Sequence, residues 1–273
     1  MSRRLGSVLL HALLGVLVVV TLAPLWWMLV VSLSTAGEAS PFAPRLLPAG
    51  VTFEHYLALF TRLDLARYVL NSAFLAGTVT LIALAINSAA GYAFAKLRFA
   101  GRDRIFRTLL AVLVVPAQVA MLPLFLMLRE LGFINTYWGV IIPGAASVFG
   151  IYLMRQFALT IPDSLLDAAR IDGASEFRVY WFVVLRLCRP ILITLGIFTF
   201  MGTWNDFMWP LIVLTDRDLY TLPVALANLL GEHGQDTELM MAGAVLTVLP
   251  VMVMFLVLQR YYIEGLMAGG VKG

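Results

Sequence analysis

Six apolar runs, each long enough to cross a lipid bilayer as a helix, constrain this chain more than any other feature. A hydrocarbon core of about 30 Å needs roughly 20 residues of helix, and the runs lie at 8–33, 68–96, 105–128, 137–157, 190–214 and 239–259. Backbone polar groups find no water at that depth, so only helices or closed barrels cross. Barrel strands alternate apolar and polar residues, whereas these runs are continuously apolar. Charge is scarce as well: 13% of residues are charged and 61% hydrophobic, about half the charged share a soluble surface carries. The expected fold is therefore all-α, a polytopic membrane protein with six transmembrane helices. The first run follows Ser2-Arg3-Arg4. It is too long for a signal-peptide core and has no clean small-residue cleavage site, so it is expected to remain as an anchor.

The distribution of cations sets the expected orientation. Of 19 Lys and Arg, five (Arg45, Arg62, Arg67, Arg129, Arg217) fall on one side of the spans. The rest fall on the other, including Arg98, Arg102, Arg104, Arg107, Arg170, Arg178 and Arg186. The positive-inside rule then places both termini, and the long connector 158–189, in the cytoplasm. Orientation in a membrane accounts for the basic balance better than nucleic acid does, because the cations are interleaved with apolar spans. The single Cys188 cannot form an intrachain disulfide, and the three histidines have no metal-ligand spacing.

Connector 158–189 carries the most information. Thr160 three residues before Asp163 has the form of a capping box with Asp for Glu, and Pro162 suits a first helical turn. Ile161, Leu165 and Ala168 or Ala169 recur at helical spacing, with Asp163, Asp167 and Arg170 opposite. Gly173 can supply a left-handed stop. A second amphipathic stretch follows, with Phe177, Tyr180, Trp181 and Val184 on one face. The result is a helix–turn–helix elbow joined to spans at both ends. Such an elbow can dock into a partner's groove or lie on lipid headgroups; residue chemistry leaves both open.

Asp167-Ala168-Ala169, three residues, Gly173, nine residues, Val183, one residue, Leu185 resembles the EAA loop of ABC importer permeases. Asp167 stands where that pattern has Glu, and Arg186 where it has Pro. Further segments resemble the MalG-like carbohydrate permeases: Trp204-Asn205-Asp206, Leu219-Tyr220-Thr221-Leu222-Pro223, and the ending Gly265 to Gly273. The resemblance covers nearly the whole chain. It implies a first helix and outer loop at 1–67 followed by a transporter domain at 68–273. It also implies a coupling helix docking on an ATPase through Asp167, Ala168, Ala169, Arg170, Asp172, Gly173, Ala174 and Phe177. The partners it implies are a second permease subunit, two ATPase subunits and an extracytoplasmic solute-binding protein, with a sugar as substrate. ATP and Mg would sit on the ATPase, since the chain has no Gly-x-x-x-x-Gly-Lys-Ser/Thr loop. No cofactor is expected in the chain itself.

Three further groups are candidates. Asn205 and Asp206 are polar in an apolar run, where an ionisable group faces a cavity or a partner. They could line a translocation path with Trp204 and Trp209, or fix helix packing. Gln118, after Pro116, is read the same two ways, and Asn87 and Ser88 are read as interhelical glue. In the outer segment, a short helix starting near Thr221-Leu222-Pro223 should end at Gly231. In MalG-like permeases the following tip, here Gly231, Glu232, His233, Gly234, Gln235 and Asp236, reaches the binding protein; a solvated connector is the alternative. Their C-terminal tail, here Gly270, Val271, Lys272 and Gly273, contacts the ATPase. A gradient-driven carrier is a weaker alternative, because no internal repeat or second buried carboxylate is evident.

Overall fold

The structure, a computed structural model, describes residues 2–38, 46–232 and 236–270. Among these residues the regular structure is helical, with no strand. Two compact units are distinguished, 1–67 with 225–250, and 68–224 with 251–273.

The first unit holds α1 (Ser2–Ser32) and α2 (Glu54–Arg62), with the ends of two helices introduced below. The most apolar part of α1 is buried nowhere, whereas Val30, Val31 and Ser32 at its end are buried. The leucines and valines from Val8 to Leu22 face outward, as a lipid-facing helix requires. The outer segment read as a loop contains α2, whose His55 and Leu59 are buried. His55 donates from Nε2 to the Ser34 carbonyl at 3.0 Å, and the Gly37 amide donates to Glu238 at 2.9 Å.

The second unit is built around α3 (Leu65–Lys96), 32 residues without a proline. After it come α4 (Arg102–Val112), α5 (Ala117–Glu130), α6 (Trp138–Gly144) and α7 (Val148–Leu159). The connector contributes α8 (Asp163–Ile171) and α9 (Glu176–Leu187). Then follow α10 (Arg189–Trp204) and α11 (Met208–Val213). α12 (Leu222–Glu232) and α13 (Thr237–Gly270) complete the chain.

Four helical stretches are long and apolar enough to cross a membrane: 6–32, 65–96, 138–159 and 237–259. Of the other two expected spans, 105–128 is bent within itself, and 190–214 meets the connector helix α9 at a second bend. α4 and α5 meet at 103°, and α9 and α10 at 79°. By length and composition, the described residues hold four spans, and up to six if each bent pair is taken as one. The break before α5 follows from Pro116, which lacks an amide proton and drives Val115 out of helical geometry. The run 190–214 is interrupted at Asn205–Phe207, so α10 ends well short of the expected boundary.

Two close approaches fix α7 against α3. A Cβ placed on Gly91 would lie 2.6 Å from the Met154 Cβ, and one on Gly150 would lie 2.5 Å from the Asn87 amide nitrogen. Asn87 accepts from the Ser147 amide at 3.0 Å, and Ser147 Oγ accepts from Gly150 at 2.9 Å. The α6–α7 break therefore satisfies its own backbone, and Asn87 acts as the glue expected of it.

Candidate functional site: the connector elbow

α8 starts after Pro162, which occupies the cap position without a side-chain bond. The expected capping box is not made. Thr160 instead closes α7, its hydroxyl donating to the Phe157 carbonyl at 2.7 Å. The stop is as expected: Gly173 adopts φ +84°, with its amide on Arg170 O and the Ala174 amide on Ala169 O, both 3.0 Å. This is the Schellman pattern, with the left-handed residue a glycine because a Cβ there is penalised.

The buried face differs from the expected stripe. Ile161 and Leu166 are buried and Ala169 packs beside them, whereas Leu165 is 48% exposed. Leu165 and Leu166 are adjacent, about 100° apart on the helix, and the core selects the second. That core joins Tyr92 of α3, Met154 of α7, Val179 and Val184 of α9, and Ile191 and Leu195 of α10, with Cys188 sealed among them. The face expected on α9 is likewise divided. Val184 is buried and Tyr180 half-buried, while Phe177 (70% exposed) stacks on Trp181 outside. The segment Val179–Val184 has π-helical geometry, which a 3.6-residue periodicity cannot anticipate.

Charges brace the turn. Arg170 donates to Asp167 at 2.7 Å and to both oxygens of Glu176, at 2.7 and 3.3 Å. Glu176 also accepts from the Tyr92 hydroxyl at 2.8 Å. The Arg170 guanidinium, then the Tyr92 hydroxyl, hold the Glu176 carboxyl below the usual carboxylate range. Lys96 at the end of α3 donates to Asp163 at 2.7 Å and to the Ile161 carbonyl at 2.6 Å, which lowers the Asp163 carboxyl as well. Asp167 is thus paired within the elbow, to Arg170 one turn on. Ala168 and Asp172 are exposed. Leu165, Ile171 (86% exposed), Phe177, Trp181 and Phe182 leave an apolar surface around this charged turn.

Sequence reasoning missed Glu176, Tyr92 and Lys96. The signal for the α3 residues was present: Ser88, Tyr92 and Lys96 recur every four residues along an otherwise apolar span.

The remaining candidates lie elsewhere. Trp204, Asn205, Asp206 and Trp209 come together at the α10–α11 break. Trp204 is buried and stacked on Phe200, with ring centres 5.8 Å apart. Trp209 is buried and donates from Nε1 to Gly139 O at 3.0 Å. Their rings hold the break rather than face solvent. Asn205 is exposed and its amide donates to Met201 O at 2.9 Å. Asp206 is half-buried, and its carboxylate accepts from the Trp209 amide at 3.4 Å. Gln118 is exposed in the first turn of α5, with no hydrogen bond to this group. In the outer segment α12 runs to Glu232, one residue past the expected end. His233, Gly234 and Gln235 lie outside the described residues, as do Val271, Lys272 and Gly273; Gly270 ends α13. Asp236 accepts from the Leu239 amide at 2.9 Å, starting α13.

Membrane-length helices with a folded elbow between two of them are the architecture of a polytopic membrane protein. Residues 87–266 match the family described as binding-protein-dependent transport system inner membrane component, and the chain belongs to that family. It is 37% identical over 227 residues to the arabinooligosaccharide transport system permease protein AraQ of Halalkalibacterium halodurans, covering 83% of this chain and 81% of that one. It is 28% identical over 272 residues to the lactose transport system permease protein LacG of Rhizobium radiobacter, covering 100% and 98%. Its structure superposes with a TM-score of 0.86, at 25% identity, on a chain of a bacterial ABC transporter that imports the acidic polysaccharide alginate. That match covers 96% of this chain and 98% of the other.

Proposed function

We propose that this chain is one permease subunit of an ATP-driven importer for an oligosaccharide, a disaccharide or a related polyol. Both termini lie in the cytoplasm, and the chain pairs with a second, homologous permease over two ATPase subunits, with a binding protein delivering sugar from outside. The elbow carries the proposal. Its underside is knitted into the cores of α3, α7 and α10, while Ile171, Phe177 and Trp181 stand exposed on its outer side. Large exposed apolar side chains beside charges are the anchors an interface uses. ATP closes the ATPase pair, the elbow follows, and the spans turn as bodies between outward- and inward-open states. Asn205 and Asp206 line the path, held in place by the packed rings of Trp204 and Trp209, with Gln118 nearer the α5 break. The tip at 231–236 meets the binding protein, and the tail at 270–273 meets the ATPase. Substrate class rests on relatives named for arabinooligosaccharide and lactose transport.

The test is affinity purification of the tagged subunit from its host in mild detergent, comparing wild type with Phe177→Asp. Wild type should bring down an ATPase and a second permease. The variant, changed at an exposed position, should keep the permease and lose more than tenfold of the ATPase. A well-folded subunit that purifies alone would contradict the proposal and point to a gradient-driven carrier.

A further inference from the structure

α3 is held by polar contacts at both ends, on segments far apart in the sequence. At its inner end, Ser88, Tyr92 and Lys96 advance by about 40° per four residues and so share one face. Each engages the elbow: Ser88 Oγ lies 2.7 Å from the Tyr180 hydroxyl, Tyr92 donates to Glu176, and Lys96 donates to Asp163 and Ile161 O. At its outer end, Asn71 donates to the carbonyls of Asp218 at 2.9 Å and Tyr220 at 3.0 Å, and accepts from the Tyr137 hydroxyl at 2.7 Å. Beside it, Ser72 accepts from the Leu222 amide at 2.8 Å. Asn71 and Ser72 are buried.

From these contacts we infer that α3 is the strut that carries displacement of the elbow to the outer segment 218–222, with Tyr92 and Asn71 as its two positioning residues. Three physical facts support it. Releasing a buried polar group away from water is costly, so both ends hold rather than slide. α3 contains no proline, whereas the long helices α1 and α13 contain Pro24 and Pro250, and an unbroken hydrogen-bond ladder resists bending. The 21 residues from Asn71 to Tyr92 rise about 32 Å, about one hydrocarbon thickness. A push on Glu176 therefore reaches Tyr220 without passing through a hinge. The inference rests on the proposed importer function.

The experiment uses the whole transporter in proteoliposomes, with its ATPase and binding protein. Uptake and ATP hydrolysis are measured together for Tyr92→Phe, Asn71→Ala and the double variant. Tyr137→Phe, which removes one hydroxyl, replaces Asn71→Ala if that variant does not assemble. Each single variant should hydrolyse ATP normally. Tyr92→Phe should import about 2–10-fold less sugar per ATP, the range expected for one lost hydrogen bond, and Asn71→Ala, which loses three, at least as much less. Because both residues serve one strut, the double variant should fall within about twofold of the poorer single. An unchanged import-to-hydrolysis ratio would overturn the inference. So would uptake and hydrolysis declining together, or deficits that multiply in the double variant. If wild type recruits no ATPase, the functional proposal itself fails, which is a distinguishable outcome.

Discussion

Gly91→Ala should loosen the α3–α7 contact, and Gly77→Ala in the same helix should not. The Cβ on residue 91 would meet Met154 Cβ at 2.6 Å, Met154 Cγ at 2.7 Å and the Arg155 amide nitrogen at 3.0 Å. Carbon atoms rest at about 3.5–4.0 Å, so the helices must part by roughly 1 Å, and none of the three atoms is the free end of a flexible side chain. Overpacking of this kind costs about 1–3 kcal/mol. Nothing lies within 4 Å of the corresponding position on Gly77. Both changes gain the same helix propensity, about 0.8–1 kcal/mol, so the difference between them isolates the steric cost. At about 2–4 °C per kcal/mol for chains approaching this size, the two should unfold roughly 2–12 °C apart, Gly91→Ala lower. Cys188 provides the assay, because it is the one cysteine and is sealed in the same cluster as Met154. A maleimide dye that fluoresces on reacting with it reports unfolding in detergent. Equal melting of the two variants would refute the packing argument.

Three further outcomes are expected. Gly173→Val should weaken ATPase recovery more than Gly173→Asn, because φ is +84° with open space around the Cβ. The cost is then purely backbone, about 1–3 kcal/mol for a β-branched residue, and lower for Asn. Glu176 and Asp163 have carboxyls held below their ordinary values of 4.5 and 3.8. Depressed groups stabilise above the unfolded value and lose that contribution as pH falls through the folded one. A spin label at exposed Ser164 should therefore keep its mobility from pH 7 to 5 and loosen only below about 4.5. Asp206→Asn, which retains the oxygen that accepts from Trp209, should assemble and melt normally. It should raise the substrate concentration for half-maximal uptake by about tenfold or more, the range for a lost hydrogen bond to a charged group; unchanged transport would remove Asp206 from the path.

How far the sequence could be read depends on the kind of signal. Span content was legible because bilayer thickness imposes a minimum apolar length, and the elbow's stop was legible because Gly173 is the residue a left-handed turn favours. The 103° bend was half legible: Pro116 announces a break, but its angle is set by packing. Leu165 and Leu166 defeated the periodicity argument because adjacent apolar residues leave the buried face undetermined until α3 and α9 are in place. Thr160 was misassigned because its hydroxyl can bond forward to a new helix or back to the old one, and the structure takes the second. Tyr92 lies 84 residues from its partner Glu176 and Lys96 lies 67 from Asp163, and no local pattern reports such pairings.

The most direct test of the account is uptake by proteoliposomes holding this subunit, its partner permease and the ATPase pair. Labelled sugar, binding protein and ATP are varied one at a time, with ion gradients collapsed by ionophores. The account predicts accumulation that requires ATP and binding protein and survives loss of every gradient. Accumulation driven by a gradient without ATP would contradict it.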